Sequence, residues 1–97
     1  MKPERIRDEF EILAERLGFT VRYERGDFRG DACRIMGDRV IIINRQMPVP
    51  HQNVAFARIF ARQDLSGISL LPVLREMIDD VSDGTDIAMQ REINASS

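Results

Sequence analysis

Cysteine, histidine and lysine are nearly missing from this chain, and tryptophan is missing altogether. Among its 97 residues there is one cysteine, Cys33, one histidine, His51, and one lysine, Lys2. A single cysteine cannot close an internal disulfide, so the fold must stand on its hydrophobic core, which 97 residues are enough to build. Structural or catalytic zinc draws three or four ligands from His, Cys and carboxylates. Cys33 and His51 supply two, and nothing specific supplies a third. No uninterrupted apolar run is longer than the four residues of VIII at 40–43, far short of a membrane span. The opening MKPERIRDEFEIL alternates charges where a secretory signal would need an apolar core. The expectation is a cytoplasmic protein with no membrane contact. Glycine-rich phosphate loops and dinucleotide fingerprints are absent, and no cofactor or metal is expected.

What is present is arginine. Thirteen of the fourteen cationic side chains are arginine, against sixteen acids, for a net charge of −2. The spread is uneven: residues 22–62 carry eight arginines and four acids, residues 63–97 two arginines and seven acids. Such polarity can drive self-association or docking of a tail.

Periodicity predicts the elements. Ile6, Phe10, Leu13 and Leu17 recur at spacings of four, three and four, the stripe of an amphipathic helix, with Pro3 in its first turn and Gly18 as its C-terminal cap. FTVRYE (19–24) alternates strictly, with Phe19, Val21 and Tyr23 on one side. After the loop RGDFRG, the segment DACRIM (31–36) reads as a second strand. A Gly37-Asp38 turn then leads into RVIIIN (39–44) as a hairpin. The third strand is apolar on both faces, so both are covered or one meets another subunit. A proline-bracketed connector precedes a helix over 51–65 that is apolar nearly all round, with a polar strip at Arg58 and Arg62. A third amphipathic helix covers 70–81. The predicted fold is α+β, order α-β-β-β-α-α: a three-stranded antiparallel meander packed with three helices. Residues 1–81 form one domain, and 82–97 are a polar acidic tail expected to be flexible.

The chemistry-bearing candidates are few. A reactive Cys33 would need a base, a helix N-terminus or positive charge; without them it is a small hydrophobe, expected inside the hairpin. DDVSDGTD places Asp79, Asp83 and Gly84 at calcium-loop positions one, five and six. The loop fails at Val81 and Gln90, where ligands are required. Arg22, Arg25, Arg29, Arg34, Arg39 and Arg45, with Phe28 among them, suggest a basic ribbon for a polyanion, with Arg29, Arg39 and Arg45 as its contacts. Glu24, Asp27, Asp31 and Asp38 interrupt it, as charges on a solvated face do.

The stretch GDACRIMGDRVIIIN resembles a group of small bacterial proteins: a Gly-x-x-Cys or Gly-x-Cys strand, a glycine turn, a hydrophobic strand ending in Asn, a proline loop and a helix. LLPVLREMI extends the likeness, which spans roughly residues 10–79. The resemblance implies no activity. A more distant one is to the minimal zinc-peptidase domain of the ImmA/IrrE type, in which a helix carrying His-Glu-x-x-His follows such a strand. Here that slot holds VAFARIFARQDL, without either histidine or the glutamate, so no catalytic residue is carried over. What such kinship would leave is a peptide groove beside the sheet edge, filled by strand addition.

The expectation is therefore a non-catalytic protein that forms a homodimer and binds a further, unidentified protein. Its interface would use Ile41 and Ile43 of strand three and Phe56 and Phe60 of the second helix. A nucleic-acid module and a residual zinc-dependent hydrolase are the alternatives.

Overall fold

A computed structural model describes residues 1–82. Three helices, α1 (Pro3–Arg16), α2 (Val49–Phe60) and α3 (Pro72–Asp80), accompany three strands, β1 (Thr20–Glu24), β2 (Gly30–Ile35) and β3 (Asp38–Asn44). The predicted class and order stand. The predicted tail lies outside the described residues, apart from Ser82.

Helix α1 ends as its glycine foretold. Gly18 takes φ +81°, its N–H donates to the Glu15 carbonyl (3.0 Å) and that of Phe19 to Ala14 (2.9 Å), the paired bonds of a Schellman cap. Helix α2 starts earlier than expected, because Pro48 and Pro50 occupy positions where no helical N–H is required. It ends at Phe60, short of the predicted 65. Helix α3 begins at Pro72 rather than 70, for the same reason as α2.

The sheet is not a meander. Its order is β1-β3-β2, with β2 antiparallel to β3 but β1 parallel to it. The predicted hairpin forms, but its turn is Met36-Gly37 rather than Gly37-Asp38. Both residues have positive φ (53° and 88°), as a type I′ turn demands, and Ile35 pairs with Asp38. The five residues 25–29 carry the chain from β1 across the end of β3 to reach β2. Asn44, the last residue of β3, secures that crossing. Its Nδ2 donates to the carbonyls of Gly26 (3.0 Å) and Phe28 (2.7 Å), its backbone N–H donates to Arg29 (3.0 Å), and its Oδ1 accepts from the Gln46 N–H (2.9 Å). An asparagine can do this because one short side chain offers two donors and an acceptor.

The core lies between one face of the sheet and the helices. Phe10, Leu13, Phe56, Phe60, Ile41 and Ile43 are at its centre, with Leu74, Ile78 and Val81 sealing it from α3. The rings of Phe10, Phe56 and Phe60 stack in parallel at 5.5–6.3 Å between centroids. Helix α2 comes close to β2 because the residues beneath it are small. A Cβ on Gly30 would stand 3.1 Å from that of Ala55 and 2.9 Å from Ile43 Cδ1. Burial of α2 is as complete as its sequence suggested, and includes Gln52 and Asn53. Asn53 Nδ2 donates to the Pro3 carbonyl at 2.9 Å, tying α2 to the start of α1. Among the described residues, no helix is long and apolar enough to cross a membrane.

Candidate interaction surface

Successive strand residues point to opposite faces, so the pairing register sorts the whole sheet. Val21 and Tyr23 of β1, Gly30 and Ala32 of β2, and Ile41 and Ile43 of β3 share the helix-covered face. The other face carries Thr20, Arg22 and Glu24 on β1, Val40, Ile42 and Asn44 on β3, and Asp31, Cys33 and Ile35 on β2. Helices α1 and α2 pack on the first face, and α3 packs on them. Val40 is 4% exposed yet takes no part in the core cluster, and neither do Ile42 and Ile35, which are half-buried. The second face thus has an apolar centre of branched side chains, with Thr20, Cys33, Arg22 and Asp31 exposed around it. Arg22 Nη2 donates to Glu24 Oε1 at 2.8 Å along its own strand.

This sorting corrects two expectations. Ile41, Ile43, Phe56 and Phe60, proposed for an interface, are 0% exposed in the single chain. They are the core of the monomer and are not available to a second chain. Cys33, expected inside, is exposed. The inward positions of β2 belong to Gly30 and Ala32, since only small residues fit beneath α2. Cys33 and Ile35 therefore face outwards. A double-sided apolar strand was a sound reason to expect either a cover or a subunit contact; the helices cover only one side.

The arginines do not converge. Arg39 is used internally: its guanidinium lies 4.2 Å from the Phe19 ring centroid, and it donates to the Leu17 carbonyl at the end of α1 (2.8 Å) and to Gln63 (3.3 Å). Arg34 shares the helix-side parity of Arg39, whereas Arg22 lies on the other face. Arg29 lines a hollow of about 310 Å³ with Met47, His51, Val54, Ala55 and Arg58. Arg45 borders a separate cleft of about 540 Å³ with Arg7, Glu11, Tyr23 and Gln52. Arg29, Arg39 and Arg45 therefore occupy three different sites. A continuous backbone track needs them aligned.

The two suggested zinc ligands are not brought together either. His51 is exposed in the first turn of α2, in the hollow with Arg29, while Cys33 borders another hollow with Phe19, Arg34 and Arg39. Among the described residues, no group of three or more His, Cys, Asp or Glu side chains could hold a metal ion. The calcium-like stretch falls mainly outside the described residues; its Asp79 is exposed near the end of α3.

Sequence reasoning missed a polar network at the carboxyl ends of β1 and β3. Gln52 is buried and donates through Nε2 to the Asn44 carbonyl (3.1 Å). Its Oε1 accepts from Arg7 Nη1 (2.9 Å), and the Arg7 guanidinium lies 5.7 Å from the Tyr23 ring centroid. The Tyr23 hydroxyl donates to Glu11 Oε2 at 2.5 Å. Burial foremost, and then this bond to a carboxylate, push the Tyr23 hydroxyl well above its ordinary 10.0. A phenol so held is a neutral strut at physiological pH, far from the poise that proton transfer requires. Asn44 ending an apolar run was the one sequence signal here; the partners, 8 to 45 residues apart, have none.

Neither the protein-family models, the curated proteins nor the solved structures yield a match to this chain.

Proposed function

We propose that this chain is a non-catalytic, cytoplasmic association module that pairs with itself and binds another protein, and that its contact surface is the helix-free face of the sheet. The observation that carries this reading is the asymmetry of β3. Ile41 and Ile43 are consumed by the core, while Ile42, equally apolar and part-exposed, faces away from every helix. A sheet that leaves one face to solvent places polar residues there. Branched aliphatics at the centre of such a face favour a partner. The dispersed arginines weigh against the polyanion alternative. The separation of Cys33 from His51, and the Tyr23 hydroxyl held far from neutral pH, weigh against the hydrolase.

The test is Ile42→Asp, read by sedimentation velocity across the micromolar range with circular dichroism as the check on folding. Wild type is expected to gain mass with concentration, and the folded variant to remain a monomer. A wild type that stays monomeric, or a variant that associates equally well, would overturn the reading. Ile43→Asp is unsuitable because it would bury a carboxylate in the core.

A further inference from the structure

Resting on that reading, we infer that the occupant of the open face is a second copy of this chain, related by a two-fold axis running along the strands between the two sheets. The register carries the argument. Arg22 on β1 and Asp31 on β2 both pair with Ile42, so one row across the face reads positive, apolar, negative. The neighbouring row is Thr20, Val40, Cys33.

A two-fold axis parallel to the strands leaves each row at its own height and exchanges its two ends. It sets β1 of one copy over β2 of the other. Arg22 then meets Asp31 of the second copy, Asp31 meets the second Arg22, and Ile42 packs on Ile42. In the next row Thr20 covers Cys33, while Val40, 4% exposed, is already buried within its own chain. An axis across the strands instead sets β1 over β1. Placed between these rows, it leaves Arg22 over Thr20 and Asp31 over Cys33, unpaired; placed on the charged row, it brings Arg22 against Arg22 and Asp31 against Asp31. Like charges so placed are repelled, so the charge pattern selects the first arrangement. Both groups are exposed; the Asp31 carboxylate accepts through Oδ1 from the Ala32 N–H at 2.8 Å, which leaves Oδ2 to face a partner. Arg22 keeps its bond to Glu24, because a guanidinium has five N–H donors and can hold a second carboxylate as well.

The area sets the strength. Three strands about 4.8 Å apart and roughly 20 Å long offer on the order of 300 Å² of flat face. That is below the roughly 800 Å² per partner of a standard stable interface. The dimer is accordingly weak and reversible, and its rim ion pairs make it looser in high salt.

The experiment is a charge-exchange cycle on the full chain. Arg22→Asp, Asp31→Arg, the double variant and Ile42→Asp are compared with wild type by sedimentation equilibrium. Alkylation of Cys33 is followed against protein concentration as an independent measure of cover. Each single exchange is expected to weaken the dimer roughly tenfold, and the double variant to recover most of that loss. Cys33 should be alkylated more slowly as concentration rises, and at a constant rate in Ile42→Asp. If Ile42→Asp abolishes the dimer but the double variant is no tighter than the singles, the face is right and the axis wrong; that overturns this inference and spares the proposed function. If wild type is monomeric throughout, or Cys33 is equally protected at every dilution, both fall.

Discussion

Asn44→Ala tests the account of the strand crossing. Three side-chain hydrogen bonds disappear: two from Nδ2 to the Gly26 and Phe28 carbonyls and one to Oδ1 from the Gln46 N–H. At a net contribution of about 1 kcal/mol each, the loss is about 3 kcal/mol. Water can reach part of the loop, since Gly26 is exposed and Phe28 only half-buried, so about 2 kcal/mol is the lower bound. For a domain of this size, 1 kcal/mol moves Tm by about 4–8 °C, so melting should fall by roughly 10–20 °C. Asn44→Asp adds a sharper condition. It keeps an oxygen for Gln46 but turns a second oxygen towards two carbonyl oxygens, so it should destabilise at least as much as alanine. Urea denaturation of the three proteins decides the matter. A loss below about 2 kcal/mol for alanine, or an aspartate variant as stable as wild type, would refute Asn44 as the fastener of the loop.

Three further perturbations follow from the same geometry. Gly30→Val should cost about 1–3 kcal/mol in urea denaturation, because its Cβ would press on Ile43, on Ala55 and on the Ile42 carbonyl at 3.2 Å; an unchanged midpoint would show that α2 gives way easily. Met36 is 99% exposed at φ 53°, where a methionine is strained, so Met36→Asn should stabilise the hairpin by about 0.5–1 kcal/mol. A lower melting temperature would place the turn elsewhere. Tyr23 holds its proton more tightly when folded, so its contribution is complete below pH 10.0 and is lost as pH rises from there towards the folded value. Tyr23→Phe, losing the bond to Glu11, should cost about 1–2 kcal/mol at neutral pH and progressively less in strong alkali. A pH-independent difference in melting temperature between the two proteins would contradict that linkage.

Local pattern carried far in this chain. Spacings of three and four drew α1 and α3, the alternation of 19–24 drew β1, Gly18 marked a helix end that it does cap, and the burial of most of α2 showed in its apolar circumference. The candidate surface was less legible. That β3 is apolar on both sides was plain from VIII, but which pair enters the core was not. Choosing Ile41 and Ile43 for an interface put core residues on the surface, and expecting Cys33 inside put a surface residue in the core. Alternation says which residues share a face, but not which face the helices cover. On β2 the inward residues are Gly30 and Ala32, the smallest available, because a helix rests on them.

The sequence by itself determined which segments are helices and strands, and that β3 is apolar on both faces, because periodicity records which side chains avoid solvent. It could not record neighbours. Alternation is the same whether a strand pairs with the next one along or with the one after, so the parallel place of β1 beside β3 was decided only in three dimensions. Contacts distant in sequence decided it: Asn44 catching the loop that crosses above it, Gln52 catching Asn44, and α2 lying down on the glycine and alanine of β2.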